Sequence, residues 1–266
     1  SCPFAPAMSP ATVTGKRGSD MEHHGKHALV TGGGTGIGLA IAQELAKAGA
    51  EVTITGRRAD VLESAAERDP RLHPLVMDVT DEASIAEVAQ GLAENDRTLD
   101  LIINCAGVLH DGDMQPERRL ADIDPAHMLR SYQVNAVGPL LVAKHFHPLL
   151  QDRGKSVFAS LSARVGSIGD NRLGGWYAYR AAKAAQNMIT RNLSIEFRRR
   201  RPGAICIALH PGTVDTDLSQ PFQRNLPQGQ LFTREHAVRQ LLAVIDSVTS
   251  ADSGGFFAFD GQPIVW

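Results

Sequence analysis

Tyr179 and Lys183 stand four residues apart in WYAYRAAKAAQNMITRNL, a stretch with helical patterning. That spacing puts both side chains on one face of a helix. A free phenol titrates near ~10, so working as an acid/base at neutral pH requires a shift of roughly 3 units, about 4 kcal/mol. One ammonium ~4 Å away in an effective dielectric of ~20 supplies roughly that much. The pair is therefore a candidate proton donor and acceptor. Tyr and Lys at this spacing are common in helices, so their weight depends on the company they keep.

A second constellation is Thr31-Gly32-Gly33-Gly34-Thr35-Gly36-Ile37-Gly38, which follows a short apolar run and opens a helical pattern. Glycines allow a tight turn and close approach of backbone to a pyrophosphate, and a helix N-terminus offers unpaired N–H groups and positive dipole. The pattern makes Gly32, Gly34, Thr35, Gly36, Ile37 and Gly38 candidates for holding a dinucleotide. The next apolar run ends Thr55-Gly56-Arg57-Arg58. An acid near Gly56 would hold the ribose 2′-hydroxyl of NAD, whereas arginine accommodates the 2′-phosphate of NADP. Arg57 and Arg58 thus favour NADP(H), with NAD(H) the alternative. The plainer reading of the two arginines is a solvated basic start to the next helix.

These residues need a scaffold, and the chain supplies an alternating one. Strands are expected over 27–31, 51–55, 73–77, 100–104, 156–161, 204–209 and 255–259. Helical patterns fall between them, including 38–48, 81–95, 125–150, 176–200 and 234–247. Seven strands alternating with six helices predict one α/β domain over 26–266, a single-domain Rossmann fold. It is a doubly wound seven-stranded parallel sheet with helices on both faces. Ligands in such sheets bind at the carboxyl ends of the strands.

Composition narrows the classes further. The chain has 266 residues, 27 basic and 29 acidic side chains, a net charge of −2 and 43% hydrophobic residues. This balance leaves no footprint for nucleic acid or an anionic membrane surface. The uncharged stretch Ala28 to Gln43 is too rich in glycine and threonine to span a bilayer. Cys2, Cys105 and Cys206 are too scattered for a disulfide framework, which fits a reducing, cytoplasmic setting. Residues 1–25 lack a sustained period and read as a poorly ordered extension without a signal peptide, with His23, His24 and His27 solvated. His110, His145, His147 and His210 show no ligand spacing, so no metal site is expected. Arg198–Arg201 complement the dipole at the end of a helix.

Five motifs then occur in a telling order: Gly32/Gly36/Gly38; Asn104-Cys105-Ala106-Gly107 after the fourth strand; Asn135 in VNAVGP; Tyr179 with Lys183; and Pro211-Gly212 after the sixth strand. In this the chain resembles the short-chain dehydrogenase/reductase family from about residue 26 to its end. DGDMQPERRL, SARVGSIGDNRLGGWYAYR and FFAFDGQPIVW resemble its C-factor-like and Sniffer-like carbonyl reductase subgroup. The resemblance implies that Tyr179 is the general acid/base, and that Lys183 lowers the tyrosine pKa and binds the nicotinamide ribose. It further implies that Asn135 anchors a water in a proton relay. Asp78, with Val79, would meet the adenine, and Asn104, Ala106 and Gly107 would steady the sheet and line the cofactor. Pro211, Gly212, Thr213, Val214 and Thr216 would contact the nicotinamide. Cys105 replaces the family's usual second asparagine.

The family also places a serine after the fifth strand to hold the substrate oxygen. Counting back from Gly166 lands on Ala163, and counting along the strand lands on Ser162. Ser162 is preferred over Ser160 and Ser167, with one extra residue in the loop. The expected protein is an oxidoreductase interconverting a small carbonyl compound and an alcohol, with Leu218 to Thr233 as a substrate loop. A homodimer or homotetramer is expected through the helices around Asn135 and Tyr179. The competing reading is a dinucleotide-binding signalling or sensor protein with little turnover.

Overall fold

A computed structural model describes residues 23–225, 229 and 231–266. Seven parallel strands form the central sheet: β1 His27–Thr31, β2 Glu51–Gly56, β3 Leu72–Val76, β4 Leu101–Asn104, β5 Ser156–Leu161, β6 Ala204–His210 and, last in the chain, β9 Phe256–Ala258. Their order across the sheet is β3-β2-β1-β4-β5-β6-β9. The order reverses between β1 and β4, which opens a crevice at their carboxyl ends.

Alternation along the strands shows why helices must cover both faces. Ala28 and Val30 of β1, Ile103 of β4, and Ile205 and Ile207 of β6 pack with Ile41 and Leu45 of α1 (Gly36–Lys47) and Leu241 and Ile245 of α7 (Arg234–Ser247). Their neighbours Leu29, Ile102, Phe158 and Cys206 point the other way. They meet Ile85 of α3 (Glu82–Glu94), Val142 and Phe146 of α5 (Gly138–Phe146) and Phe197 of α6 (Tyr177–Arg200). The remaining helices are α2 (Ala59–Ala66) and α4 (Pro125–Tyr132). The expected doubly wound sheet is the observed one.

The departures have local causes. The stretch 125–150, expected as one helix, is interrupted by a π-helical turn at Gln133–Val137 and ends in a 3₁₀ turn at His147–Leu149. Such turns inside helices frequently mark functional positions, and this one carries Asn135. A small parallel ribbon of β7 (Thr213–Val214) and β8 (Leu231–Phe232) was not foreseen. It brackets the expected substrate loop, of which residues 226–228 and 230 lie outside the described residues. Residues 1–22 of the expected N-terminal extension also lie outside them. His23, expected to be solvated, is instead buried, with Lys26 Nζ donating to its Nδ1 at 3.2 Å. Burial lowers its pKa, against the pull of Asp246. Among the described residues no helix is long and apolar enough to cross a membrane.

Candidate active site

The glycine-rich loop works through two close approaches. Gly32 has φ +64, and a Cβ there would lie 2.9 Å from the Ala106 backbone; a Cβ on Gly38 would lie 2.3 Å from Gly32 O. Thr31 Oγ1 accepts from Cys105 N and Ala106 N, both at 3.2 Å, and so ties the loops after β1 and β4 together. Thr35 caps α1 with extended backbone and makes no side-chain cap hydrogen bond. That arrangement leaves the first-turn N–H groups available to an anion.

These loops line one side of a cleft of ≈ 460 Å³. Gly32, Gly34, Thr35, Gly36, Ile37 and Gly38 form its floor, Arg57 and Arg58 one mouth, and Asp78, Val79, Ala106 and Gly107 the wall beside them. Ser162, Tyr179, Lys183, Pro211 and Thr216 line the same cleft. Most candidates from the sequence therefore meet in a single space. Asn104, Asn135, Gly212 and Val214 stand behind the wall rather than on it. Asn104 Nδ2 donates to Ser160 Oγ at 3.2 Å inside the sheet, and Gly212 has φ +77 against the Phe232 ring.

Asn135 is held through its side-chain amide. Its Oδ1 accepts from Val108 N at 3.0 Å, while its Nδ2 donates to Val108 O at 2.8 Å and Ser131 Oγ at 3.1 Å. The π-helical turn thus aims a fully engaged amide at the loop after β4. Its side chain braces the loop at Val108, which lines the cleft.

Tyr179 is carried at the start of α6, whose entry is unusual. Gly174, Gly175 and Trp176 all have positive φ (+63, +64 and +50), so the chain reverses through three left-handed residues. Trp176 supplies no side-chain cap. Glu117, buried to 4% exposure, substitutes for it: its carboxylate accepts from Ala178 N at 3.2 Å, and its carbonyl accepts from Trp176 N at 2.6 Å. Glu117 was not singled out from the sequence. Neither was Arg130, which reaches the cleft beside Asp78. Its spacing of four from Val134, another lining residue, was the available signal.

The electrostatics run against the simplest expectation. Lys183 Nζ sits 5.7 Å from the Tyr179 ring centroid. It donates to Leu161 O at 2.8 Å and to Gln186 Oε1 at 2.9 Å. Burial pushes Lys183 down to about 7 and pushes the Tyr179 phenol up. Desolvation thus moves both groups toward neutrality. Burial also drives the Cys105 thiol up to about 12, so it is inert. Burial would raise the Asp78 carboxyl, but hydrogen bonds from Thr80 N and Oγ1, with Arg57 and Arg130 nearby, hold it below its usual value.

Ser160, Ser162 and Ser167 are separated by their partners. Ser160 accepts from Asn104, Ser167 donates to Val265 O, and Ser162 donates to Asn187 Oδ1 at 2.6 Å. Of these three only Ser162 lines the cleft.

Comparison with known proteins agrees with this geometry. The family model described as short chain dehydrogenase matches residues 26–227, and the chain belongs to that family of oxidoreductases. The C-signal of Myxococcus xanthus is 37% identical over 168 residues, covering 63% of this chain and 93% of that protein. The 1-hydroxy-2-glutathionyl-2-methyl-3-butene dehydrogenase of Rhodococcus sp. (strain AD45) is 31% identical over 240 residues, covering 90% and 98%. The crystal structure of NADPH-bound carbonyl reductase from chicken fatty liver superposes with a TM-score of 0.81 at 30% identity, covering 96% of this chain and 100% of that one.

Proposed function

We propose that this chain is an NADP(H)-dependent oxidoreductase that interconverts a ketone or aldehyde with the corresponding alcohol, with Tyr179 as its general acid/base. The observation that carries the reading is that Tyr179 and Lys183 line the same cleft whose floor is the glycine-rich loop. The residues present fit a dinucleotide: a Cβ on Gly36 would meet only the Thr216 methyl at 3.8 Å and so would fill the space in front of the loop, which the α1 N-terminus faces. Gly32, Gly36 and Gly38 would hold the pyrophosphate, Arg57 and Arg58 the 2′-phosphate, and Asp78 the adenine. Bound there, the nicotinamide would supply or accept the hydride.

Tyr179 donates its phenolic proton to the substrate oxygen during reduction and takes it back during oxidation. Lys183 would hold the ribose hydroxyls of a bound dinucleotide, and its charge there would favour the phenolate. Asn135 holds the Val108 loop that forms the wall opposite. Exposed Leu129 on α4 and Met188 on α6 support association of copies through that side of the molecule.

The test is loss of NADPH absorbance in the presence of a carbonyl panel. Turnover of at least one ketone or aldehyde supports the enzyme. NADPH binding without turnover of any of them favours the second reading, a dinucleotide-binding signalling protein, for which the likeness to C-signal speaks.

A further inference from the structure

Left-handed backbone outside glycine is rare in this chain: among the described residues only Asp96 and Trp176 have positive φ, +51 and +50. Asp96 lies exposed just past α3, and aspartate visits that region because its short side chain can bond locally. Trp176 has no such outlet. A bulky residue there is a genuine outlier, and the chain uses glycine for the same conformation at the two preceding positions, Gly174 and Gly175. The conformation is held from both sides. Trp176 N donates to Glu117 O at 2.6 Å, and Trp176 O accepts from Arg180 N at 2.9 Å.

What tryptophan adds over a third glycine is its ring. The ring meets that of Tyr179, three residues on across the first turn of α6, in a T-shaped pair with centroids 6.4 Å apart and planes at 73°. Pairs of this geometry are favourable beyond the area they bury. Trp176 does not line the main cleft; it lines a second cavity of ≈ 590 Å³ together with Asp113, Glu117 and His127. Resting on the function proposed above, we infer that Trp176 is a positioning residue: it takes up a strained backbone so that its ring fixes the Tyr179 ring, and with it the phenolic oxygen, at the cleft. Strained residues persist where the surrounding structure over-determines them, and they cluster at active sites.

The test compares Trp176→Gly, Trp176→Ala and Trp176→Phe in the full chain. In urea unfolding without cofactor, Trp176→Gly exceeds Trp176→Ala in folding constant by about threefold, because relief of a left-handed Cβ outweighs the greater freedom of glycine in the unfolded chain. Trp176→Ala combined with Tyr179→Ala loses roughly threefold to tenfold less than the product of the single losses, as two rings in contact require.

Activity follows a different order. In reduction of 9,10-phenanthrenequinone at saturating NADPH, Trp176→Gly and Trp176→Ala both lower kcat by about tenfold to a hundredfold, with KM and NADPH affinity within about threefold. Trp176→Phe restores a ring and recovers most of that loss. A merely structural role would leave kcat near the wild-type value in every variant that is fully folded at the assay temperature. The inference is overturned by that result, by a rise in KM at unchanged kcat, by additive unfolding effects at 176 and 179, or by a glycine variant no more stable than the alanine one. A wild-type chain that reduces no carbonyl contradicts the proposed function instead, and the unfolding readouts still decide the strain at Trp176 and its contact with Tyr179.

Discussion

Lys183 gives its protons to Leu161 O at 2.8 Å and Gln186 Oε1 at 2.9 Å while its Nζ lies 5.7 Å from the centre of the Tyr179 ring. The ammonium is thus held by neutral acceptors beside the phenol it is meant to assist.

The buried lysine makes stability depend on pH in a definite direction. Its folded-state pKa is about 7, below the ordinary 10.5, so between those values the unfolded chain binds more protons. The penalty is full below pH 7 and is relieved as pH rises toward 10.5. Lys183→Met removes it. The difference in unfolding free energy, wild type minus Lys183→Met, should therefore be flat below pH 7 and climb from about pH 7 to pH 10 without cofactor. A flat difference would mean that the lysine is not desolvated.

On the proposed reading, cofactor choice would rest on Arg57 and Arg58, which line the cleft. Arg57→Ala should weaken NADPH by roughly tenfold to a hundredfold, the worth of a charge-assisted hydrogen bond of about 1.5–3 kcal/mol. NADH should be nearly unaffected. Fluorescence titration with both cofactors reads this directly, and equal weakening of the two would remove Arg57 from the 2′-phosphate.

Glu117 replaces a missing helix cap at the entry to α6. Glu117→Ala should cost about 0.5–2 kcal/mol in urea unfolding, the usual range for losing an N-cap acceptor. Glu117→Gln, which keeps an acceptor, should cost less. Equal losses in the two variants would show that the carboxylate oxygen does not cap Ala178.

The sheet was legible because its strands are buried on both faces and so appear as unbroken apolar runs between turn signals. β1 and β5 fall at the expected 27–31 and 156–161. The break at Gln133–Val137 was not legible, since QVNAV contains neither proline nor glycine. The break coincides with a contact distant in sequence, the hydrogen bonds between Asn135 and Val108. Asn104, Tyr179 and Lys183 could be placed from motif and spacing. Gln186 and Asn187 could not, because a polar residue in a helix reads as solvated until its facing strand is known. The clue was their offset of three and four from Lys183, which puts them on the same buried stripe as Ala182 and Thr190. Two-residue strands such as β7 and β8 carry no period at all, and Glu117 reaches α6 from 61 residues away.

The most direct measurement of the central claim is the single-turnover rate of NADPH oxidation with 9,10-phenanthrenequinone for the wild type and Tyr179→Phe, with cofactor affinity measured alongside. The substitution removes only the phenolic group and keeps the ring that packs edge-on against Trp176 at 6.4 Å. The account predicts unchanged NADPH binding and a rate at least about a hundredfold lower, in line with the roughly 10²–10⁴-fold that general acid–base catalysis contributes. A Tyr179→Phe chain that retains more than about a tenth of the wild-type rate would contradict it.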